Sequence, residues 1–308
     1  MNNNHNTAPG MSSGSRKKAG GAVSAVLLLG AFVVASIYTG ASEKGTLAGI
    51  YFSVGVIAPS LFIYITLSKL LTSLPAVVRL SERAAEPMML VLGLVCGFPT
   101  GAVTARGLYE SGSISKKRAE YICAFSNNPS LSFVLGFAGG HVFPQEDAGI
   151  KFSLLLALSS LINMIVFRYI LFSKAERKLV GRTGTVFAAT VRSFAETVSE
   201  SALTLISVCA MITLFTCITY IINDMFCPSG IAKVVINGFL EFSGGTALCA
   251  QLPAAAGPAA AAAIMGWSGV CVHMQVRSVT GGRFSLAPFV CAKLLQSAVM
   301  AAGALLLF

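Results

Sequence analysis

The residues of this chain that could do chemistry lie where long apolar runs are interrupted. The first interruption, at positions 97 to 101, contains Gly97, Pro99, Thr100 and Gly101. Proline has no backbone N–H and glycine is a poor helix former, so a helix is expected to break here and leave amides and carbonyls unpaired. These groups can hydrogen-bond carboxylate oxygens or water, and the N-terminus of a half-helix favours an anion. The pattern indicates a binding site, although two kinked packing helices would give it as well.

Asn127 and Asn128 lie in a second interruption, just before Pro129. Their side-chain amides supply both donors and acceptors, so they are expected either to contact a ligand or to cap a half-helix. His273 and Gln275 are two further polar candidates near the end of an apolar run. All four are expected to line a substrate or ion site if the interruptions face each other.

Two charged residues, Glu241 and Lys293, fall within apolar runs. An ionised group at membrane depth costs several kcal/mol unless it is paired or faces water. Glu241 opens a third interruption, which continues through Ser243, Gly244 and Gly245. It could bind a coupling ion, carry a proton, pair with a gate residue or reach the outer surface. Lys293 lies roughly 14 Å into the last run. It could neutralise an anionic substrate, pair with Glu241 or extend back to the interface.

Enzyme activity is not expected. The sequence contains no HExxH, Walker A or GxGxxG motif. Ser268 and His273 suggest an intramembrane serine protease, but if the helix is continuous, five positions put them about 140° apart and they cannot form a dyad. The only aspartates, Asp147 and Asp224, fall in predicted outer loops, which argues against an aspartyl protease. The eight cysteines contain no CxxC pair, so no disulfide framework, metal site or cofactor is predicted.

The elements that must position these residues are membrane helices. Of the 308 residues, 55% are hydrophobic and only 11% are charged, and the mean hydropathy is +0.77. A soluble protein of this size could not bury so much apolar surface, since about a quarter of residues are ordinarily charged. An all-α integral membrane protein in a lipid bilayer is therefore expected. The net charge of +10 comes from Lys and Arg beside apolar runs, a pattern typical of membrane orientation and not of nucleic-acid binding.

Apolar runs divide the chain into membrane and flanking segments. Residues 1–19 are expected to form a disordered cytoplasmic tail, and residues 20–40 a retained first transmembrane helix. Residues 173–199 are expected to form a basic cytoplasmic loop with a short amphipathic helix, over 186–198, at the interface. The other runs that could cross or enter the membrane are 46–71, 88–105, 120–140, 150–172, 200–223, 234–252, 258–276 and 284–308.

The distribution of positive charge indicates how two of these runs enter the membrane. If 88–105 and 234–252 return to the side they left, 18 of the 22 Lys and Arg residues share one side. If 88–105 crosses instead, the basic loops at 116–118 and 168–192 move outside and the bias reverses. Because cytoplasmic loops collect Lys and Arg, re-entry and a cytoplasmic N-terminus are predicted. Hairpins and broken spans both fit a re-entrant element.

The order span, re-entrant element, span, span then occurs twice, in residues 46–172 and 200–308. Three crossings in each unit make the second copy inverted relative to the first, which is the architecture of many secondary transporters. The predicted fold has about seven transmembrane helices plus two re-entrant or broken helical elements in inverted repeats.

Three separated segments of the chain resemble one known family. They are GFPTGAVTARGLYESGSISKKRAEYICAFSNNPS, LEFSGGTALCA and GWSGVCVHMQVRSVTGGRFSLAPFVCAKLL. In this order they resemble the sporulation integral membrane proteins of endospore-forming bacteria. That family belongs to the nucleoside-recognition or Gate-domain group and is similar in outline to concentrative nucleoside transporters. The resemblance covers residues 54–308.

This resemblance implies a carrier in the membrane around the developing spore, in the branch tied to passage of dipicolinate, a pyridine dicarboxylate. The expected function is alternating-access transport of a small anionic aromatic carboxylate. H⁺ or Na⁺ could be the coupling ion, and a homo-oligomer is left open. Two alternatives are a nucleoside-type carrier with a neutral substrate and a non-transporting membrane scaffold for spore assembly. Uptake by a Lys293→Gln variant would separate the anion from the nucleoside.

Overall fold

A computed structural model describes residues 13–73, 75–174, 176, 193–253 and 256–308. Within these ranges the chain is helical, with thirteen α-helices and no strand. The helices are α1 (Ser13–Ile37), α2 (Thr39–Phe52), α3 (Ala58–Ser73), α4 (Pro75–Cys96), α5 (Thr100–Glu110), α6 (Lys116–Ser126), α7 (Ala148–Leu171), α8 (Phe194–Phe226), α9 (Gly230–Leu240), α10 (Phe242–Leu248), α11 (Ala256–Trp267), α12 (Gly269–Val279) and α13 (Ala287–Leu307). Two π-helical segments, Ser53–Ile57 and Phe133–Val142, and a 3₁₀ turn, Cys249–Gln251, complete them.

Several helices are long and apolar enough to cross a membrane. Among the described residues there are four such segments: Ala148–Leu171, Phe194–Phe226, Ala256–Val279 and Ala287–Leu307. A fifth is counted if the pair Ser24–Ile37 and Thr39–Ile57, bent by 95°, forms one span. The prediction of an all-helical, multi-pass membrane protein is confirmed to this extent.

Both flanking segments differ in part from the prediction. α1 begins at Ser13, so residues 13–19 of the predicted disordered tail are helical, while residues 1–12 lie outside the described part of the chain. Most of the predicted basic loop at 173–199 also lies outside it. From Phe194 onward, the predicted amphipathic segment forms the start of α8, a 33-residue helix.

α2 continues through residues 41–45, which lie between the predicted spans 20–40 and 46–71. Gly45 and Gly49 of this helix face α8. A Cβ on Gly49 would lie 2.6 Å from the Cα of Thr213, and one on Gly45 would lie 2.8 Å from the Cα of Cys217. Small residues one turn apart let two helices approach to backbone contact, a common mode of helix association in membranes. Tertiary packing therefore stabilises a helix in the segment between the two predicted spans.

α4 and α5 fold back on each other at residues 97–99. A Cβ on Gly101 would lie 2.6 Å from the carbonyl oxygen of Ser126, and a Cβ on Gly93 would clash with the same atom. Eight residues of a straight helix would separate the two glycines by about 12 Å, so both can touch one atom only if the chain reverses. Gly97, with a φ of +76°, adopts the left-handed conformation that this turn requires.

α9 and α10 form a second hairpin, with its turn at Glu241. A Cβ on Gly245 would clash with the Cα of Gly238, so the two backbones touch on either side of the turn. Both of the runs that were predicted to re-enter the membrane are therefore hairpins in the structure.

The helix that follows each hairpin is interrupted. α6 ends at Ser126, and the chain has no helical structure over residues 127–130 before it leads into the π-helical segment. α11 and α12 are separated at Ser268, whose φ is +72°. An uninterrupted long helix then follows in each half, α7 in the first and α13 in the second, and these two helices pack on each other.

Ion pairs connect the ends of several helices. Arg118 on α6 forms a buried bidentate pair with Glu86 on α4, at 3.1 and 3.2 Å. The other ion pairs of this kind are Lys69 with Glu200, Arg106 with Glu110, Arg283 with Glu110, and Lys117 with Glu176. Hydrogen bonds from Lys117 and Ser173 lower the pKa of Glu176 to about 2, which favours its carboxylate form.

Candidate functional site

The two hairpin turns contact each other through Phe98 and Phe242. Their rings meet edge to face, with centroids 5.0 Å apart and an angle of 85° between the planes. This is a favourable arrangement for aromatic rings. Phe133, at the start of the second π-helical segment, packs on Phe242 with centroids 4.9 Å apart. The hairpin turns therefore meet beside an interrupted helix.

Each hairpin turn also lies against the break of the helix that follows it. A Cβ on Gly97 would lie 2.8 Å from the Cβ of Ser130, at the end of the α6 break. A Cβ on Gly269, at the α11–α12 break, would lie 2.9 Å from the amide nitrogen of Phe242. The same contact thus occurs in both halves of the chain, and it brings all four interruptions into one region.

Asn127 caps α5. The first backbone amides of a helix lack partners within it, and Asn127 Oδ1 accepts a hydrogen bond from the amide of Ala102 at 3.0 Å. Its Nδ2 donates to the carbonyl of Cys123 at 3.2 Å. Pro99 occupies the position before the helix, and Thr100 is its first residue. Of the two roles considered for Asn127, the structure shows the capping role.

Glu241 caps α10. It is 5% exposed. Its Oε1 accepts from the amide of Ser243 at 3.0 Å, while Oε2 accepts from the amide of Gly244 at 2.7 Å and from Ser243 Oγ at 2.6 Å. Hydrogen bonds and the positive end of the helix dipole both stabilise a carboxylate in this position. Glu241 and Lys293 are not an ion pair in the structure.

Lys293 lies on α13 and is 0% exposed. Its Nζ donates to Gln296 Oε1 at 2.8 Å and to Asn128 Oδ1 at 3.2 Å. Both acceptors are neutral amides. Within the described residues, Lys293 takes part in no ion pair with a carboxylate. The cluster around it therefore holds a buried basic group and no counter-charge.

Gln296 and two serines complete the hydrogen bonding around Asn128. Gln296 Nε2 lies 2.9 Å from Asn128 Oδ1, 3.1 Å from Ser160 Oγ and 3.3 Å from Ser159 Oγ. Sequence reasoning missed Gln296, although it lies three positions after Lys293 and so on the same helix face. It also missed the serines, because single hydroxyls in an apolar run do not distinguish a polar cluster from ordinary helix packing.

Asn163 extends the polar surface of α7 by one turn. Its Nδ2 donates to the carbonyl of Ala292, the residue before Lys293, at 3.0 Å. Its Oδ1 is buried and has no hydrogen-bond partner among the described residues. The spacing of Asn163 from Ser159 and Ser160 was the only sequence signal for this face.

His273 lies on α12 close to the same cluster. Its Nδ1 is 2.8 Å from the carbonyl oxygen of Gly269. Because a carbonyl only accepts, Nδ1 carries the hydrogen and Nε2 of the neutral ring is an acceptor. The ring packs against Trp267 and Phe289, with centroids 4.3 and 4.9 Å away. Lys293 Nζ lies 5.6 Å from the centroid of the same Phe289 ring.

Gln275 and Ser268 do not join this cluster through hydrogen bonds. Gln275 Nε2 donates to Cys271 Sγ at 3.3 Å, within its own helix. Ser268 Oγ donates to the carbonyl of Met265 at 3.1 Å. His273 Nδ1 is bonded to a carbonyl and its Nε2 has no partner, so Ser268 and His273 form no hydrogen-bonded dyad.

Three buried polar side-chain atoms of the described chain have no hydrogen-bond partner: Thr100 Oγ1, Asn163 Oδ1 and His273 Nε2. Buried polar atoms are ordinarily bonded, so each of these requires an explanation. Asn163 and His273 both contact α13 close to Lys293, through Ala292 and Phe289. Both of these atoms are therefore available to accept a hydrogen bond.

No group of three or more His, Cys, Asp or Glu residues that could hold a metal ion occurs in the part of the chain that the structure describes. Comparison with known protein families, curated proteins and solved structures finds no match to this chain.

Proposed function

We propose that this protein is a membrane carrier of a small anionic metabolite. The observation that carries the proposal is the burial of Lys293 at 0% exposure with only neutral amides as acceptors. A buried ammonium group is unfavourable without an opposite charge. A carboxylate substrate would supply that charge and could also bond the unpartnered atoms of its neighbours.

The architecture supports alternating access. We infer seven crossings, made by α1, α2 with α3, α6 with the second π-helical segment, α7, α8, α11 with α12, and α13, plus the two hairpins. Residues 46–172 and 200–308 then form inverted repeats, in which each hairpin rests on an interrupted helix. Transporters built from inverted repeats bind their substrate between the repeats, at discontinuous helices.

The resemblance to sporulation membrane proteins supports dipicolinate as the substrate. An aromatic dicarboxylate fits the chemistry near Lys293, since the ring of Phe289 lies 5.6 Å from Nζ and packs on the ring of His273. On this proposal the carrier lies in a membrane around the forespore, with its N-terminus in the cytoplasm.

A nucleoside is the second candidate substrate. The amides of Asn128 and Gln296 and the hydroxyls of Ser159 and Ser160 could bind the neutral base and the ribose of a nucleoside. These groups do not require a charged ligand, whereas a buried basic amine without a counter-charge favours an anionic one.

Uptake into proteoliposomes tests the proposal. Wild-type protein should accumulate radiolabelled dipicolinate, and Lys293→Gln should lose this uptake although it still inserts. Lys44→Gln, which removes an exposed lysine, is the matched control and should retain uptake. Uptake of nucleosides alone, unchanged in Lys293→Gln, would overturn the anion proposal in favour of the second candidate.

A further inference from the structure

We propose that the anion binds together with a proton that Lys293 takes up, so that H⁺ is the coupling ion of this carrier. The inference rests on the proposed function, because it requires an anion to bind beside Lys293. It concerns a different property, namely the charge of the site when it is empty and when it is filled.

The hydrogen bonding of Lys293 matches a neutral amine. A neutral amine has two N–H groups and one lone pair, whereas an ammonium has three N–H groups. Nζ donates to two acceptors, on Gln296 and Asn128. Nζ makes no third hydrogen bond in the described part of the chain, and the nearby ring of Phe289 offers only its π face. The empty site therefore provides an acceptor for both N–H groups of the uncharged amine, whereas an ammonium would keep one N–H without an acceptor and its charge without a counter-charge.

The groups around Lys293 do not supply a negative charge. From α7, the α6 break and α13 itself they are amides and hydroxyls: Ser159, Ser160, Asn163, Asn128 and Gln296. α11 has no titratable side chain. α12 carries Cys271, His273 and Arg277, of which His273 contacts α13 through Phe289 and has an Nε2 without a partner. The carboxylate of α6, Glu120, accepts from the amide of Ser285 before α13 begins. A proton on His273 would add a second positive charge without adding an anion.

Binding of a carboxylate changes this balance. The amine of Lys293, one proton from solution and one substrate carboxylate together give an ammonium–carboxylate pair. The third N–H then donates to the substrate, and the desolvated pair is stabilised by strong mutual attraction. When the substrate leaves, the proton leaves with it. Each anion is therefore carried with one proton, and its net charge in transit is lower by one.

The surroundings of Glu241 argue against Na⁺ at the other buried charge. A sodium ion needs oxygen ligands, but both carboxylate oxygens of Glu241 already face N–H and O–H donors from Ser243 and Gly244. A cation approaching these oxygens would meet the donors as well.

The test is calorimetric titration of the purified, full-length protein with dipicolinate at neutral pH, in two buffers of different ionisation enthalpy. Wild-type protein should take up roughly one proton per dipicolinate bound. Lys293→Arg keeps a permanent charge, so it should bind dipicolinate with no proton uptake. His273→Gln removes a ring of the site, so it should bind dipicolinate more weakly and still take up roughly one proton for each dipicolinate bound. The neutral analogue pyridine-2,6-dicarboxamide should cause no proton uptake in any variant.

Dipicolinate binding by wild-type protein without proton uptake would overturn the inference and leave the proposed function standing. Proton uptake that is lost in His273→Gln and retained in Lys293→Arg would overturn the role of Lys293. Wild-type protein that binds no aromatic carboxylate would overturn the proposed function itself. If the Lys293→Arg variant does not fold, wild-type proteoliposomes decide the question, since an inward H⁺ gradient should accelerate dipicolinate uptake and an inward Na⁺ gradient should not.

Discussion

Lys293 and Asn128 lie 165 positions apart in the chain and are joined by a hydrogen bond of 3.2 Å from Nζ to Oδ1. Asn128 belongs to the break after α6, in the first proposed repeat, and Lys293 belongs to the last helix of the second. A solute that binds Lys293 would therefore compete with, or add to, a direct contact between the two halves of the protein.

Replacing Asn128 with aspartate tests this relationship. The change is nearly isosteric, and it places a carboxylate within hydrogen-bond distance of Lys293. The internal anion should pair with the lysine and weaken dipicolinate binding at least tenfold, about 1.4 kcal/mol, as measured by calorimetry. The double variant Asn128→Asp with Lys293→Gln should bind no worse than Lys293→Gln alone. Unchanged affinity in Asn128→Asp would show that Lys293 does not contact the anion.

Glu241 should act mainly on stability. Glu241→Ala removes the cap of α10 and should lower the free energy of unfolding by about 1 kcal/mol, and by no more than about 2. Glu241→Gln keeps one acceptor oxygen and should lose less, with uptake retained by the folded protein. Thermal unfolding in detergent and proteoliposome uptake measure the two effects. A Glu241→Gln variant of unchanged stability that has lost uptake would assign Glu241 to ion coupling instead.

Gly245→Ala should destabilise the second hairpin. The added methyl group would clash with the Cα of Gly238, and a backbone atom cannot move aside as a side chain can. Overpacking of this kind costs about 1–3 kcal/mol. Gly40→Ala is the matched control because a Cβ there meets no atom within 4 Å. Equal melting temperatures for the two variants would contradict the close approach of α9 and α10.

Lys116 and Lys174 should lie on the same side of the membrane, opposite Lys44. The ion pair between Lys117 and Glu176, at 2.8 Å, holds the neighbourhoods of the first two together. Single cysteines at the three positions, in a background with the exposed Cys227 and Cys291 replaced by serine, can be labelled from one side with an impermeant maleimide. Labelling of Lys116→Cys and Lys174→Cys from opposite sides would refute the proposed topology.

The sequence alone determined the class of the protein and the positions of three of its four breaks, while the break at Ser268 falls inside the predicted span 258–276. Apolar content predicts membrane helices because charged groups are excluded from hydrocarbon. Proline predicts an interruption because it removes a backbone hydrogen bond of the helix, and glycine does so because its free backbone is a poor helix former. The breaks near Gly97 and Glu241 follow from these local rules. The start of α2 does not, because its helix depends on glycines that contact α8, far away in the chain.

Only the tertiary structure decided which polar residues meet. Asn127 and Asn128 are adjacent and chemically identical, yet one caps α5 and the other bonds Lys293. Glu241 and Lys293 are the two charges expected to pair, yet Glu241 is satisfied within its own turn. The direction of a side chain depends on how the breaks and helices pack against each other, and this packing arises from contacts between residues more than a hundred positions apart. A linear pattern therefore fixes where polar groups occur, whereas the fold selects the partner of each.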